Sequence, residues 1–313
     1  MLIYIDVPLK TTEKQTLNKH LNGSYQLCYT DEFENEDNRL NALRKADILF
    51  GNPRPEVMLQ AVNARWIQLF TAGFESYQNV TTKAVVTNMN DYYSQPCAET
   101  MVAGIMALYR KMDVFGVYKE NKQWVGAPIR LELQLLQYKK VIILGTGNIG
   151  RRIAKILNAF DAEIRFFGRS APDAAIRSGE ELVQQITWGD IIIGCLPGTA
   201  GTMGLFTKEM IDNMKGTAIF CNVGRGNLVA DEGALIEALM NKTIGGAVLD
   251  VTASEPIPAD SKLWDCPNTI LTQHSGGGQQ SEYEGLVTLF LENLEKFEKR
   301  QPLNNEVSFQ KGY

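Results

Sequence analysis

The feature that most constrains the fold is a glycine motif, Gly145-Thr-Gly147-Asn-Ile-Gly150, between an apolar run at 141–144 and a helical pattern. Glycines at this spacing permit a tight turn, close approach of a pyrophosphate and close packing of the helix on the strand. A second strand-like run follows at 163–167, as a strand-helix-strand unit requires. The motif therefore predicts a Rossmann-type nucleotide site, and a purely structural glycine turn is the alternative.

Short apolar runs separated by helical patterns extend through the rest of the chain and predict an α/β fold with two parallel sheets. The first set of runs lies at 2–7, 25–30, 46–51, 66–71 and 84–89. A long helical pattern from Ser94 to about Lys119 marks the boundary to the second set, at 141–144, 163–167, 190–195, 217–222, 244–250 and 269–272. A helical pattern from about Gln279 to Lys299 follows the last strand and is suited to return to the first sheet.

Composition excludes several classes of protein. The chain has 313 residues, of which 44% are hydrophobic, and 31 basic against 36 acidic residues give a net charge of -5. Because no basic run is longer than two or three residues, a nucleic-acid or anionic-membrane surface has no electrostatic support. No apolar run reaches the ~18–20 residues that cross a bilayer, and a cytoplasmic location is expected. The five cysteines are widely spaced and never form a CxxC pair, which argues against disulfides and a zinc site.

The end of the second strand of the nucleotide unit predicts which cofactor is preferred. An acidic residue normally stands there to bind the adenosine ribose, but this chain reads Phe167-Gly168-Arg169-Ser170. A carboxylate would repel a 2′-phosphate, whereas Gly168 leaves space, Arg169 offers a planar fork and Ser170 a hydroxyl. NADP(H) is therefore predicted over NAD(H). Arg151 and Arg152 are either further anion contacts or a solvated pair.

Three charged residues follow three successive strands of the second set and predict the chemistry. Arg225 follows the run at 217–222, Glu255 the run at 244–250, and His274 the run at 269–272. Carboxyl-end loops of parallel strands meet at one edge of the sheet, so these side chains are expected to converge. These three residue types suit hydride transfer to a 2-oxo acid. The histidine would protonate the carbonyl oxygen, the glutamate would orient the histidine, and the arginine would bind the carboxylate.

At these residues the sequence resembles the D-isomer-specific 2-hydroxyacid dehydrogenases. The resemblance covers nearly the whole chain and includes Leu196-Pro197, Gly224-Arg225-Gly226, Glu255-Pro256 and His274. It implies that Arg225, Glu255 and His274 are catalytic, that Asp250 meets the nicotinamide carboxamide, and that backbone amides around Ala72, Gly73 and Phe74 bind the substrate carboxylate together with Arg225 and His274. The cofactor contacts expected on this basis are Gly145, Gly147, Asn148, Ile149, Gly150, Gly168, Arg169, Ser170, Leu196, Pro197, Thr202, Val223, Gly224, Arg225, Asp250, His274 and Gly276.

The resemblance also implies an organisation and a function. A Rossmann-like cofactor domain at 95–278 would be inserted into a discontinuous, flavodoxin-like substrate domain at 1–94 and 279–313. The expected protein is an NADP(H)-dependent homodimer that reduces a small 2-oxo acid, as glyoxylate and hydroxypyruvate reductases do, without a metal. A phosphoglycerate- or glycerate-type dehydrogenase and a non-catalytic, corepressor-like NAD(P) sensor are the alternatives. The chain departs from the family pattern at Gln273, where proline is usual.

Overall fold

The apolar runs at the start of the chain form five parallel strands that alternate with helices. The computed structural model describes residues 1–21 and 23–309. The elements are β1 (Leu2–Asp6), α1 (Thr11–His20), β2 (Gln26–Tyr29), α2 (Glu36–Lys45), β3 (Ile48–Gly51), α3 (Pro55–Met58), β4 (Trp66–Gln68) and β5 (Val85–Thr87). Helix α3 is short, because it ends at Met58 and turns follow.

The second set of runs forms a six-stranded parallel sheet preceded by two helices. Its elements are α4 (Ser94–Arg110), α5 (Met112–Glu120), β6 (Lys140–Leu144), α6 (Asn148–Leu157), β7 (Glu163–Phe167), α7 (Gly179–Gln185), β8 (Ile191–Gly194), α8 (Lys208–Asp212), β9 (Ile219–Asn222), α9 (Glu232–Met240), β10 (Gly246–Leu249) and β11 (Thr269–Leu271). The single helix predicted up to Lys119 is interrupted at Lys111, whose left-handed φ of 55° separates α4 from α5.

The end of the described chain returns to the first sheet through α10 (Glu282–Glu298) and β12 (Glu306–Val307). Phe290 of α10 stacks on Phe50 and Trp66, with ring centroids 4.4 and 5.1 Å apart. This aromatic stack packs α10 against the first sheet. Strand β12, which pairs antiparallel with β5, has only two residues and was not predicted.

The chain divides into two compact units, one from Met1 to Tyr92 and again from Gln279 onward, the other from Tyr93 to Gly278. The strand orders are β12-β5-β4-β3-β1-β2 and β11-β10-β9-β8-β6-β7. The predicted α/β class with two parallel-sheet domains is confirmed. In each sheet the winding reverses beside the first strand, between β1 and β3 and between β6 and β8, and such a switch point is where open α/β sheets bind ligands.

Burial on both faces explains why β6 reads as a continuous apolar run. Val141 and Ile143 point into one hydrophobic cluster, while Ile142 and Leu144 point into the cluster on the other side of the sheet. All four side chains are fully buried. The strand is thereby fixed from both faces, and the glycine motif that follows it starts from a rigid base.

A buried polar network holds α10 against the first sheet. Asn293 is fully buried, and its amide nitrogen donates to Gln68 Oε1 at 3.0 Å and to the carbonyl of Asn304 at 3.1 Å. Its side-chain oxygen accepts from the Asn304 N–H at 2.7 Å. Gln68 Oε1 also accepts from the Thr87 hydroxyl. Each polar group is paired, so removing one partner leaves others buried and unpaired.

We expect Asn293→Ala to lower the free energy of unfolding by about 2–4 kcal/mol, because it removes three hydrogen bonds and leaves buried partners unsatisfied. Chemical denaturation followed by circular dichroism measures the change. Asn18→Ala is the matched control, since Asn18 is an exposed asparagine within α1. A loss no greater than that of the control would show that the network does not stabilise this unit.

Candidate cofactor and catalytic site

The glycine motif forms an open cradle at the start of α6. Gly145 has a φ of +126°, a conformation that side chains rarely adopt, and a Cβ on Gly150 would lie 2.4 Å from the Gly145 carbonyl oxygen. In front of Gly147 nothing lies within 4 Å of the position of a Cβ. The first N–H groups of a helix have no intrahelical acceptor, and anions commonly bind at this end of a helix. A dinucleotide pyrophosphate therefore fits this position.

The end of β7 carries the residues predicted to select the cofactor. Gly168 is buried, whereas Arg169 and Ser170 are exposed. No carboxylate occupies the end of the strand, and the Arg169 guanidinium makes no hydrogen bond or ion pair with the residues that the structure describes. Arg151 instead forms a bidentate pair with Asp173, with N–O distances of 2.7 and 3.0 Å. Arg151 thus has a carboxylate partner within the chain, whereas Arg169 has none among the described residues and could bind a phosphate.

The loop after β8 lies beside the glycine motif, because a Cβ on Gly145 would be 3.2 Å from the Cys195 carbonyl oxygen. This loop includes Leu196 and Pro197, two predicted cofactor contacts. Thr202, a third, is buried, and its hydroxyl donates to the Pro197 carbonyl at 2.5 Å and accepts from the Thr199 N–H at 2.9 Å. The Thr202 side chain fixes the loop, and its contact with the cofactor stays a prediction.

The loop after β9 presents Val223, Gly224 and Arg225. The Asn222 side chain holds this loop. Its Oδ1 accepts from the Gly224 N–H at 3.1 Å, and its Nδ2 donates to the Arg225 carbonyl at 2.9 Å. Arg225 Nη1 donates to the Gly224 carbonyl at 2.8 Å. Sequence reasoning missed Asn222, although a buried polar residue that ends a strand is a usable signal.

The loops after β9 and β10 touch at Gly226. A Cβ on Gly226 would lie 1.8 Å from the Thr252 carbonyl oxygen, so no larger residue fits there without moving a loop. The Ala253 N–H also donates to Glu232 Oε1 at 2.8 Å. The arginine loop and the glutamate loop are therefore packed against each other.

Asp250 fixes the histidine loop that follows β11. Its carboxylate is buried, and Oδ1 accepts from the Thr272 hydroxyl at 2.5 Å and from the N–H groups of Gly276 at 2.9 Å and Ser275 at 3.1 Å. The Asp250 carbonyl accepts from the His274 N–H at 2.6 Å. The carboxylate thus sets the loop conformation, a role that the sequence did not reveal, while Oδ2 accepts no hydrogen bond from the described residues.

The histidine and the glutamate form a direct pair. His274 Nδ1 lies 2.6 Å from Glu255 Oε2, and Glu255 Oε1 accepts from the Thr252 N–H at 3.0 Å. A carboxylate only accepts, so Nδ1 carries the proton toward the glutamate and Nε2 is the nitrogen left to exchange a proton. The side chains of His274 and Glu255 are 52% and 36% exposed, so a ligand can reach them.

The backbone at the histidine is left-handed at two successive residues. Gln273 has a φ of 58° and His274 a φ of 54°. Proline is restricted to a φ near -65° and cannot adopt this conformation. The residue at 273 that departs from the family pattern is therefore matched to the local backbone.

Three of the five cysteines, Cys97, Cys221 and Cys266, are buried thiols. Burial raises the pKa of Cys97 to about 12, and it also raises the pKa values of Cys195 and Cys221. A thiol in this state is not a nucleophile near neutral pH.

The described residues contain no group of three or more histidine, cysteine, aspartate or glutamate side chains that could hold a metal ion. No helix of the described part is long and apolar enough to span a membrane.

The expected substrate-carboxylate contacts lie in the first unit, after β4. The carbonyl of Ala72 accepts from the Asn88 amide at 2.7 Å, and that of Gly73 accepts from the Thr71 hydroxyl at 2.7 Å. The N–H groups of Ala72, Gly73 and Phe74 donate to no described residue. The Phe74 side chain is buried against Phe309, with ring centroids 6.0 Å apart. Phe74 can therefore offer a substrate its amide and not its ring.

The second unit has the features of a dinucleotide-binding domain: a parallel sheet, a glycine cradle at its switch point and a paired histidine and glutamate at the carboxyl ends of the strands. Residues 102–276 match the sequence model of "D-isomer specific 2-hydroxyacid dehydrogenase, NAD binding domain". The chain belongs to this family of NAD(P)-dependent dehydrogenases and reductases.

Individual relatives agree with this assignment. The chain is similar to an uncharacterized protein of Corynebacterium melassecola, with 30% identity over 88% of this chain and 92% of that protein. It is 31% identical to the glyoxylate/hydroxypyruvate reductase A HPR2 of Arabidopsis thaliana over 67% of this chain and 66% of that one. A crystal structure of a D-isomer specific 2-hydroxyacid dehydrogenase family protein from Aeromonas salmonicida superimposes with a TM-score of 0.85 and 26% identity, covering 98% of this chain and 99% of that one.

Proposed function

We propose that this protein is an NADP(H)-dependent reductase that converts a small 2-oxo acid, such as glyoxylate or hydroxypyruvate, into a D-2-hydroxy acid. The observation that carries the proposal is the 2.6 Å contact between His274 and Glu255 at the carboxyl edge of a dinucleotide-binding sheet. Relatives named as reductases of 2-oxo acids support the substrate class, including a 2-ketogluconate reductase of Gluconobacter oxydans that is 31% identical over 63% of each chain.

Each charged residue has a distinct task in this reaction. His274 gives a proton from Nε2 to the carbonyl oxygen of the substrate, and Glu255 holds the imidazole ring in place through the contact with Nδ1. Arg225 binds the substrate carboxylate and carbonyl oxygens through the N–H donors of its planar guanidinium. The reduced nicotinamide, when bound, supplies the hydride. Asp250, whose Oδ2 accepts no hydrogen bond from the described residues, would receive one from the carboxamide.

The amides of Ala72, Gly73 and Phe74 are the proposed contacts for the substrate carboxylate. Their carbonyls are held by other groups, which fixes the peptide orientations and leaves the N–H groups available. Successive free N–H groups in a loop form a concave anion site. This contact uses backbone only, so it recognises the carboxylate that all 2-oxo acids share and does not select among their side chains.

The loop conformation at residue 273 gives a test of the histidine's placement. We expect Gln273→Pro to reduce kcat about 10–100-fold, because a φ near -65° would displace His274 from Glu255. Gln273→Gly is the matched control and should keep kcat near the parent value, since glycine adopts positive φ without strain. Steady-state assays of both variants measure the effect. A proline variant as active as the glycine variant would show that the left-handed backbone is not needed.

The preference for NADP(H) rests on Arg169, which is exposed and unpaired among the described residues. A charge-assisted contact to a phosphate is worth ~1.5–3 kcal/mol, so Arg169→Ala should weaken NADPH binding roughly 10–100-fold and leave NADH little changed. Kd values for both cofactors at fixed ionic strength measure this, because salt screens the phosphate contact. A parent that favours NADH, or a variant that loses both cofactors equally, would contradict the assignment.

An exposed apolar surface in the second unit supports the proposed homodimer. Met112, Val117, Trp124, Leu131 and Leu135 are each more than half exposed, and Trp124 and Leu131 are 95% exposed. Such a concentration of exposed apolar side chains marks an interaction surface. We propose a second copy of the chain as its partner. Light scattering should give a dimer for the parent and a monomer for Trp124→Asp/Leu131→Asp, and a monomeric parent would contradict the proposal.

The five cysteines are free thiols, which suits a reducing compartment such as the cytoplasm.

The proposed activity is tested by assaying a panel of 2-oxo acids with NADPH and with NADH. We expect turnover with glyoxylate or hydroxypyruvate and a higher kcat/KM with NADPH. Binding of cofactor without turnover of any 2-oxo acid would favour the alternative of a non-catalytic sensor.

A further inference from the structure

The backbone around Gly168 is tied down on both sides. The Gly145 N–H donates to the Phe167 carbonyl at 3.0 Å, and the Gly168 N–H donates to the Ile176 carbonyl at 3.0 Å. Phe167 and Ile176 also form an isolated parallel bridge. The end of β7 therefore cannot move away from a neighbour that approaches it.

That neighbour is Thr146, which stands between the first two glycines of the motif. A Cβ on Gly168 would lie 2.9 Å from Thr146 Cγ2 and 3.2 Å from Thr146 Oγ1. Contacts under about 3.0 Å do not persist, and a β-branched side chain has few rotamers in which to move aside. Thr146 therefore occupies the space that the Cβ of an acidic ribose-binding residue would need.

A second close approach places the guanidinium of Arg169. A Cβ on Gly201 would lie 3.1 Å from Arg169 Nη1 and 3.5 Å from Nη2. Gly201 sits in the turn that the Thr202 hydroxyl fixes, and its φ lies outside the left-handed region. An alanine there would cause no backbone strain, but its methyl group would require the guanidinium to shift by a few tenths of an ångström.

The local charge favours an anion beside Arg169. Asp173 is the one carboxylate between Gly168 and Ile176, and it is paired with Arg151 through two hydrogen bonds. Those hydrogen bonds lower the pKa of Asp173, so it stays ionised and engaged with Arg151. Arg169 thus has no competing carboxylate partner in the part of the chain that the structure describes.

We propose that Thr146 and Gly201 are positioning residues for cofactor selectivity: Thr146 excludes an acidic side chain at position 168, and Gly201 leaves room for the Arg169 guanidinium at the 2′-phosphate. The proposal rests on the NADP(H) preference proposed above. It assigns selectivity to two residues that need not contact the cofactor, and it predicts that the selectivity cannot be reversed at position 168 alone.

The first test is Gly201→Ala, with equilibrium binding as the readout. The Kd values for NADPH and for 2′,5′-ADP should rise about threefold to tenfold, while those for NADH and 5′-AMP stay unchanged, because only the phosphate contact is disturbed. In an Arg169→Ala background, Gly201→Ala should have no further effect. Gly216→Ala is the matched control, since a Cβ there would have its nearest neighbour at 3.8 Å.

The second test compares Gly168→Asp with the double variant Thr146→Ala/Gly168→Asp. The single variant should lower Tm and weaken both cofactors, whereas the double variant should recover Tm and bind NADH more tightly than NADPH. Thr217→Ala/Gly168→Asp is the control, because Thr217 is an exposed threonine that precedes β9. This control should behave as the single variant.

The outcomes distinguish a failure of the roles proposed for Thr146 and Gly201 from a failure of the proposed NADP(H) preference. A parent that binds NADH more tightly overturns the NADP(H) preference itself. If the parent prefers NADPH, a Gly201→Ala variant with unchanged NADPH affinity, or with equal losses for both cofactors, overturns the role of Gly201. A Gly168→Asp variant that keeps the parent Tm and prefers NADH, or a double variant that does not recover, overturns the role of Thr146.

Discussion

Replacing His274 by glutamine should lower kcat for 2-oxo acid reduction about 10²–10⁴-fold, with NADPH binding nearly unchanged. Glutamine retains a polar side chain that can still bond Glu255, but it cannot release and regain a proton near neutral pH, and general acid–base transfer typically contributes this factor. Stopped-flow measurement of NADPH oxidation gives the rate, and fluorescence titration gives the Kd of the cofactor. The large loss should therefore appear in kcat alone.

His20 provides the matched control for this variant. It is the other histidine of the chain, and its Nδ1 bonds the Thr16 carbonyl at 2.8 Å within α1. His20→Gln should leave kcat and KM at their parent values. Near-parent kcat in His274→Gln would remove His274 from the catalytic set, and a comparable loss in both variants would indicate a general effect on folding.

Removing the Arg225 side chain should have the second largest effect. Arg225→Ala should lower kcat/KM for 2-oxo acids about 10²–10³-fold, the range seen when a preorganised charge or donor is lost from a developing oxyanion. Arg225→Lys should recover only part of the loss, because an ammonium keeps the charge without the planar fork. NADPH affinity should change far less than kcat/KM in both variants.

The comparison with Arg44→Ala controls for loss of a surface arginine, since Arg44 is exposed in α2 and bonds Gln60. It should be indistinguishable from the parent. A lysine variant as active as the parent would show that bidentate anchoring is unnecessary. An alanine variant with full activity would remove Arg225 from substrate binding.

Much of the fold was predictable because its signals are local. The apolar runs that become β6, β8 and β10 are buried on both faces, so they are continuous in the sequence. The glycine motif predicted the turn at Gly145, whose positive φ only glycine adopts readily. The short strand β12 left no pattern, because two residues cannot show a period.

The contact between His274 and Glu255 was predictable from the sequence, but the groups that support the candidate site were not. Arg225, Glu255 and His274 follow three neighbouring strands, and parallel strands place the loops after their carboxyl ends at one edge of the sheet. The supports are single polar groups such as Asn222 and Thr272, whose partners lie several residues or a whole strand away. Similarly, the contact that a Cβ at position 168 would make with Thr146 depends on a packing distance that no sequence spacing encodes.

The most direct test of the account is the product formed from hydroxypyruvate and NADPH by the purified protein. We expect each NADPH oxidised to yield one D-glycerate, because hydride and proton are delivered to one carbonyl in a fixed orientation. Chiral chromatography of the product together with NADPH absorbance measures both quantities. NADPH that binds without being oxidised, or a product of the L configuration, would contradict the proposed D-2-hydroxyacid chemistry.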